Sequence, residues 1–171
     1  MGWFGKLTLG SIGLFLAGPL GAIAGAALGH HLFDKEGEMS TRSLPLGQAE
    51  ESQAAYFVSL FSILGRLASA DGVVSREEIH IVERFLNGLK ISEQEKQFAR
   101  NIFNEARNSS YSIDDFADQL YWINQNQPTI LLSFLDLLFK LAAADGTLHQ
   151  AEDAVLKRIK EKFRISDQQF T

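Results

Sequence analysis

Two nine-residue stretches of this 171-residue sequence share six residues at matching positions. Leu-Gly-Arg-Leu-Ala-Ser-Ala-Asp-Gly occupies residues 64–72, and Leu-Phe-Lys-Leu-Ala-Ala-Ala-Asp-Gly occupies residues 138–146. The two copies are offset by 74 residues, and the same offset relates Glu78 to Glu152. A constant offset without gaps indicates duplication of one helix-loop-helix unit.

The hydrophobic period and the capping residues predict helices on both sides of each copy. Ser75 and Ser92 each stand three positions before a glutamate, which is the pattern of a capping box. Pro128 suits the first turn of a helix, and no segment shows strand-like alternation. The sequence therefore predicts an all-α bundle of about seven helices, over residues 50–70, 76–89, 93–107, 113–124, 128–144, 149–163 and from 166 onward.

The first fifty residues have a different composition from the rest. They contain ten of the 14 glycines, and no Asp, Glu, Lys or Arg occurs from Leu7 to Phe33. As a helix, Leu7–Gly29 would be about 34 Å long, enough to cross a hydrocarbon core of about 30 Å. We therefore predict one transmembrane helix within an anchor at residues 1–33, a linker at 34–48 and a helical domain at 49–171.

Two other interpretations of the anchor stay open. Lys6, the apolar run 7–17 and Ala22-Ile23-Ala24 also resemble a secretory signal peptide with its cleavage site. The apolar character continues beyond Ala24, which argues against cleavage there. A buried glycine-rich hairpin of a soluble fold is the third interpretation, and it is disfavoured because glycine lowers helix stability in water.

Glycines of the anchor recur at helical spacing and form a stripe along one face. Small residues at this spacing let two helix backbones approach closely in lipid. We predict a helix-packing interface, and a homodimer formed through the anchor helix, at Gly18, Gly21, Gly25 and Gly29.

Several function classes are excluded by composition and motifs. The chain has no cysteine, so it has no disulfide, thiolate nucleophile or zinc site with cysteine ligands. Its net charge of −5 argues against nucleic acid as a partner. No hydrolase, P-loop or dinucleotide motif is present, so we predict that the protein is not an enzyme. A hydrolase that uses its acidic residues is disfavoured because no nucleophile or base is identifiable.

Each Ala-Asp-Gly loop is followed six residues later by a glutamate, a spacing found in the second half of a calcium-binding EF-hand. The first half is absent, since the first-ligand positions hold Leu67 and Leu141, so we reject the EF-hand. Turn and cap chemistry alone explains these loops. The alternative is a cluster of oxygen ligands for a divalent cation, the one candidate cofactor, with Glu77 and Asp153 as extra ligands of the set Asp71, Glu78, Asp145 and Glu152.

The histidines and the basic run 157–164 have simpler interpretations. His80 and His149 do not occupy equivalent positions of the repeat, so we expect both at the surface. The basic run is interleaved with Ile159, Glu161 and Phe163 and is typical of a solvated helix face, with an acidic partner or lipid headgroups as the other interpretation.

The glycine-rich start, Met-Gly-Trp-Phe-Gly-Lys followed by residues 18–30, and the two Ala-Asp-Gly…Glu motifs together resemble membrane-anchored DnaJ-like co-chaperones of the DjlA type. Their region after the anchor is similar to the TerB tellurite-resistance domain. The resemblance implies a single span in a bacterial inner membrane, a cytoplasmic all-α domain, a dimer formed through the anchor, and the four acidic loop residues as suspected metal ligands.

One departure from this family concerns activity. DjlA-type proteins end in a J-domain that acts on DnaK through His-Pro-Asp, and these 171 residues contain no such sequence. The expected function is therefore a membrane-tethered TerB-like module for sensing or scaffolding, which acts by protein contact. The alternative is the regulatory N-terminal region of a DjlA-type co-chaperone whose J-domain lies outside this chain, with a chaperone system as partner.

Overall fold

A computed structural model describes residues 17–33, 48–69, 75–144, 146 and 148–170 of the chain. Every regular secondary-structure element within these ranges is an α-helix, which confirms the predicted all-α class. The helices are α1 (Pro19–Phe33), α2 (Gln48–Ala68), α3 (Arg76–Gly88), α4 (Glu93–Asn108), α5 (Ile113–Asn124), α6 (Pro128–Ala142) and α7 (Gln150–Lys162).

Serine caps fix where three of the helices begin. Each cap hydroxyl accepts the backbone N–H three residues on, and the carboxylate of that later residue accepts the N–H of the cap. In α4 these bonds measure 3.2 Å and 2.8 Å. The boxes predicted at Ser75 and Ser92 are confirmed, and the three pairs are Ser75–Glu78, Ser92–Glu95 and Ser112–Asp115.

Helix α2 lies at the centre of the bundle and packs against α1, α4, α5 and α6. Phe61 and Ile63 are fully buried on it. Gly65 marks a close approach to α4, since a Cβ atom built there would lie 2.4 Å from the carbonyl oxygen of Phe103. The duplicated sequence thus begins where two helix backbones come nearly into contact.

Helix α7 is joined to α5 by two ion pairs between the helices. Arg158 contacts Asp114, and the Lys162 ammonium lies 2.8 Å from the carboxylate of Asp118. Lys157 pairs with Asp153 one turn away in the same helix, at 2.7 Å. Much of the basic run is therefore engaged in pairing within the domain.

Helix α1 packs against α4, α2 and α5. Its inward face consists of apolar residues that are at most 8% exposed: Leu20, Ile23, Ala24, Ala27 and Leu28. The described part of the glycine-rich run is therefore a helix that forms one side of the bundle, and the hairpin considered above would involve residues outside the described ranges.

The predicted glycine stripe lies away from this buried face. No atom lies within 4 Å of a Cβ built at Gly25 or Gly29. Ala22 and Ala26 are exposed. The stripe is therefore open at Gly25 and Gly29, whereas a Cβ built at Gly18 would lie 3.3 Å from Gln119 Oε1.

Two expectations concern the ends of the described chain. None of the helices in the described ranges combines the length and the apolar character needed to cross a membrane. The predicted span Leu7–Gly29 lies partly outside these ranges. The helix predicted from Ser166 is present only as a turn, closed by the Gln169 N–H on the Ser166 carbonyl at 3.1 Å, and Phe170 then packs on Phe139 at a ring-centroid distance of 4.9 Å.

Candidate functional site

Glu78 is held at the start of α3 by its own capping box. Its Oε2 atom accepts the Ser75 N–H at 2.8 Å, and its backbone N–H donates to Ser75 Oγ at 3.2 Å. An acidic side chain in this first turn interacts favourably with the partial positive charge that the helix dipole places there. The side chain is thus fixed at the end of the first duplicated unit.

Glu152 occupies the equivalent position in the second unit. Its Oε2 accepts the backbone N–H of His149 at 3.2 Å, at the start of α7. His149 therefore stands where the first copy has Ser75, and the local backbone geometry repeats although the cap residue differs. The equivalence inferred from the 74-residue offset extends to hydrogen bonding.

The two units converge on one cavity of about 200 Å³. Glu78 and Glu152 both line it, together with Ser75, Glu77 and His149. Its floor is apolar, formed by α2, α3, α4 and α6 through Leu64, Leu67, Ala68, Ile81, Val82, Phe103, Leu141 and Ala142. Two of the four predicted ligands are therefore brought to one place.

The other two predicted ligands, Asp71 and Asp145, lie outside the described residues. Across the described ranges, no three His, Asp or Glu side chains are grouped so that they could hold a metal ion. Of the extra ligands considered, Glu77 lines the cavity, whereas Asp153 is paired with Lys157. His80 is exposed on α3, as expected.

The donor set is chemically suited to a hard cation but incomplete. Calcium takes six to eight oxygen ligands and magnesium six, from carboxylates, carbonyls and water. Two glutamates, each with one oxygen engaged by a cap N–H, fall short of either number. The described residues fit a cation only if the aspartates of the two loops and water complete the shell.

A second, apolar cavity was not predicted from the sequence. It measures about 460 Å³ and lies between α2, α3 and α6, with Phe57, Phe61, Phe85 and Leu137 in its wall. Tyr56 lies at its edge, 3.4 Å from Ser133 Oγ, and burial raises the pKa of its hydroxyl. In the sequence these residues have the same pattern as packed core residues. The pattern therefore does not show that they line a cavity.

An ion pair between α3 and α4 was also missed. Arg100 donates through Nε and Nη2 to both carboxylate oxygens of Glu83, at 2.7 Å and 3.0 Å. This bidentate hydrogen bonding holds the pKa of Glu83 below its ordinary value, against a smaller opposing effect of burial. The 17-residue separation of the pair gives no helical spacing from which it could be recognised.

Comparison with known proteins fits this architecture. Residues 57–171 match the family model of the tellurite resistance protein TerB. The chain belongs to the TerB family. The TerB match covers α3 to α7 and most of α2, and so includes both duplicated units and the cavity between them.

The segment that precedes the TerB region matches a second family model. Residues 1–53 match the transmembrane domain of the co-chaperone DjlA, which supports association of this TerB-family chain with a membrane. Similar curated proteins include the co-chaperone protein DjlA of Legionella pneumophila, 34% identical over 86% of this chain, and that of Coxiella burnetii, 31% identical over 85%. The DjlA of Escherichia coli K12 is 28% identical over 99% of the chain. No solved structure gives a significant match.

The TerB-family chain spans only part of these relatives. It covers 51% of the Legionella protein, 55% of the Coxiella protein and 62% of the Escherichia coli protein. Activities of the full-length relatives are therefore assigned to this chain only as proposals.

Proposed function

We propose that this chain is a membrane-tethered TerB module that acts by contact with protein partners and binds a divalent cation between its two duplicated loops. The shared cavity is the observation that supports the cation, because it brings Glu78 and Glu152 together from positions 74 residues apart. Asp71 and Asp145, one turn-forming residue from each loop, would complete the ligand set.

The cation is tested by calorimetric titration of the full chain in detergent micelles with Ca²⁺, Mg²⁺, Mn²⁺ and Zn²⁺. We expect binding heat for at least one ion, and its loss in the double variant Asp71→Ala plus Asp145→Ala. Asp136→Ala is the matched control, because Asp136 pairs with Lys140 on α6, at 2.7 Å, and does not line the cavity. Absence of heat with all four ions would refute the cation and leave the turn-and-cap interpretation of the loops.

The second candidate function is the regulatory N-terminal region of a DjlA-type co-chaperone, with a DnaK-class chaperone as its eventual partner. The order of the two family matches favours it, since a DjlA transmembrane match is followed directly by a TerB match. Reading the gene beyond codon 171 tests it. An in-frame continuation that encodes His-Pro-Asp supports this candidate, whereas a stop codon directly after Thr171 contradicts it.

The proposed membrane arrangement is a single span in a bacterial inner membrane, with an anchor at 1–33, a linker at 34–48 and a cytoplasmic domain at 49–171. Resistance of the full chain to alkaline carbonate tests the span. Protease digestion of inverted and right-side-out vesicles tests the orientation, with cleavage in the domain expected only in inverted vesicles. Release by carbonate, or cleavage in right-side-out vesicles only, would contradict the arrangement.

Self-association through the glycine stripe belongs to the same proposal. Gly25 and Gly29 lie open on α1, so a second helix has room to approach there. We expect Gly21→Leu plus Gly25→Leu to reduce cross-linking of the full chain in membranes, whereas Gly88→Leu, at the end of α3, leaves it unchanged. Equal cross-linking of all three proteins would refute the interface.

A further inference from the structure

The structure and the family match point to two different environments for helix α1. In the structure its inward face is buried against α2, α4 and α5. Residues 1–53, which include α1, match a transmembrane domain. With α1 on the bundle, only residues 7–18 of the charge-free run remain, about 18 Å of helix against a hydrocarbon core of about 30 Å. Docking of α1 and a complete span therefore exclude one another.

The docked helix is held by hydrogen bonds from side chains of the bundle to its main chain. The Leu20 N–H donates to Gln119 Oε1 at 2.8 Å, and Gln119 Nε2 donates to the Ala17 carbonyl. Asn101 Nδ2 donates to the Ala27 carbonyl at 3.2 Å. Two side chains of the bundle thus hydrogen-bond to main-chain groups at the start of α1 and in its middle.

Gly18 and Pro19 interrupt the helical conformation at the start of α1. Gly18 has a φ of +87°, a conformation that favours glycine, and Pro19 follows at the first helical position. A helix that begins here leaves the Leu20 N–H without a partner in its own helix, and Gln119 supplies that partner. In a continuous membrane helix the same N–H would bond to the carbonyl four residues earlier, so Gln119 is needed only for the docked state.

The outward face of α1 suits both locations. Ala22 and Ala26 are exposed, and Gly25 has open space beside it, so the docked helix presents only small residues to water there. In lipid the same small residues permit close helix packing. Because α1 carries no Asp, Glu, Lys or Arg, no such charged side chain has to be desolvated when the helix is buried on the bundle or inserted in lipid.

We propose that the surface of α2, α4 and α5 beneath α1 is a helix-docking surface whose occupant is α1 itself, and that α1 exchanges between this surface and the bilayer. Membrane insertion then uncovers Asn101, Gln119 and the apolar residues around them. The inference rests on the proposed membrane span. It goes beyond that proposal by making the exposure of one face of the TerB region depend on insertion.

The absence of native cysteine permits a direct test on the full chain in lipid vesicles. In Ala22→Cys the thiol faces water when α1 is docked and lies in lipid when α1 is inserted, so a water-soluble maleimide should label a fraction of the molecules. In Ala24→Cys the thiol is protected in both states and is the matched control. Ala27→Cys plus Asn101→Cys should form a cross-link in a similar fraction, and Ala22→Cys plus Asn101→Cys should not.

The two hydrogen bonds made by Gln119 provide a second, independent readout. Adding Gln119→Ala to Ala22→Cys removes two hydrogen bonds of the docked state only, so labelling should fall roughly fivefold to tenfold and carbonate resistance should rise. No labelling and no cross-link, with a carbonate-resistant chain, would overturn the exchange but leave the membrane anchor standing. Complete labelling that is insensitive to Gln119→Ala, with a chain released by carbonate, would overturn the exchange and the span together.

Discussion

At the scale of single residues, Gly65 is a position where helix packing leaves no room for a side chain. Gly65→Ala would place a methyl group 2.4 Å from the Phe103 carbonyl oxygen, and α2 and α4 would have to separate. We expect a loss of about 1–3 kcal/mol in the free energy of unfolding, measured by urea denaturation. Gly88→Ala is the control, because a Cβ there meets no atom within 4 Å. Equal stability of the two variants would show that the helices are not in close contact at Gly65.

The Glu83–Arg100 pair makes a prediction about pH. The folded-state pKa of Glu83 is lowered, so the unfolded chain binds this proton more readily. The pair therefore stabilises the fold above the ordinary glutamate pKa of about 4.3, and this contribution is lost as the pH falls through the lower folded-state value. Because Glu83 is partly exposed, we expect Glu83→Gln to cost only about 0.5–1 kcal/mol at pH 7.

Thermal unfolding of the Glu83→Gln variant and the parent chain between pH 7 and pH 3 measures this effect. The difference in Tm should be largest at neutral pH and shrink at the acidic end. Glu93→Gln is a suitable control, since Glu93 is 80% exposed and its ion pair is with Lys96, three residues away in the same helix. A difference in Tm that stays constant over the pH range would contradict the assignment.

At the scale of elements, α7 is positioned on α5 by charge as well as by its buried Leu156 and Ile159. Asp114→Asn plus Asp118→Asn removes both acidic partners from α5. We expect about 1 kcal/mol of destabilisation at low salt and a smaller effect at 1 M salt, because exposed pairs are screened. The control is Asp136→Asn, whose pair with Lys140 lies within α6. Destabilisation that does not depend on salt would mean that the carboxylates act by packing.

The elements also show what the sequence could and could not predict. Capping residues are local, so Ser75, Ser92 and Pro128 placed three helix starts correctly. The packing of α1 was not predicted, because a charge-free run rich in glycine and alanine suits lipid and a protein surface equally well. Gln119 and Arg100 are distant in sequence from their partners, and only the fold brings them together.

The candidate site was predictable to the extent that it follows from duplication. The 74-residue offset paired Glu78 with Glu152, and the structure places both on one cavity. His149 was expected at the surface, yet it also lines this cavity as the counterpart of Ser75. The 74-residue offset relates His149 to Ser75, but the difference in residue type conceals their shared role as helix caps.

At the scale of the whole molecule, α1 should contribute to the stability of the helical region. Its buried face includes Leu20, Ile23 and Leu28, and burial of such side chains stabilises by about 1.5–3 kcal/mol each, as an upper estimate. A fragment of residues 48–171 should therefore be less stable than residues 17–171 by roughly 3–6 kcal/mol. It should also bind a hydrophobic dye through the uncovered surface of α2, α4 and α5.

Urea denaturation of the two fragments in the absence of lipid measures this difference. The variant Ile23→Ala in residues 17–171 supplies an intermediate case, with an expected cost of about 2–4 kcal/mol because it leaves a cavity beneath α1. Ala26→Ser, on the exposed side of the same helix, should have little effect. If residues 48–171 alone were as stable as residues 17–171, α1 would contribute nothing to the fold. The cooperative unit would then begin with α2, which is also the helix in which the TerB match begins.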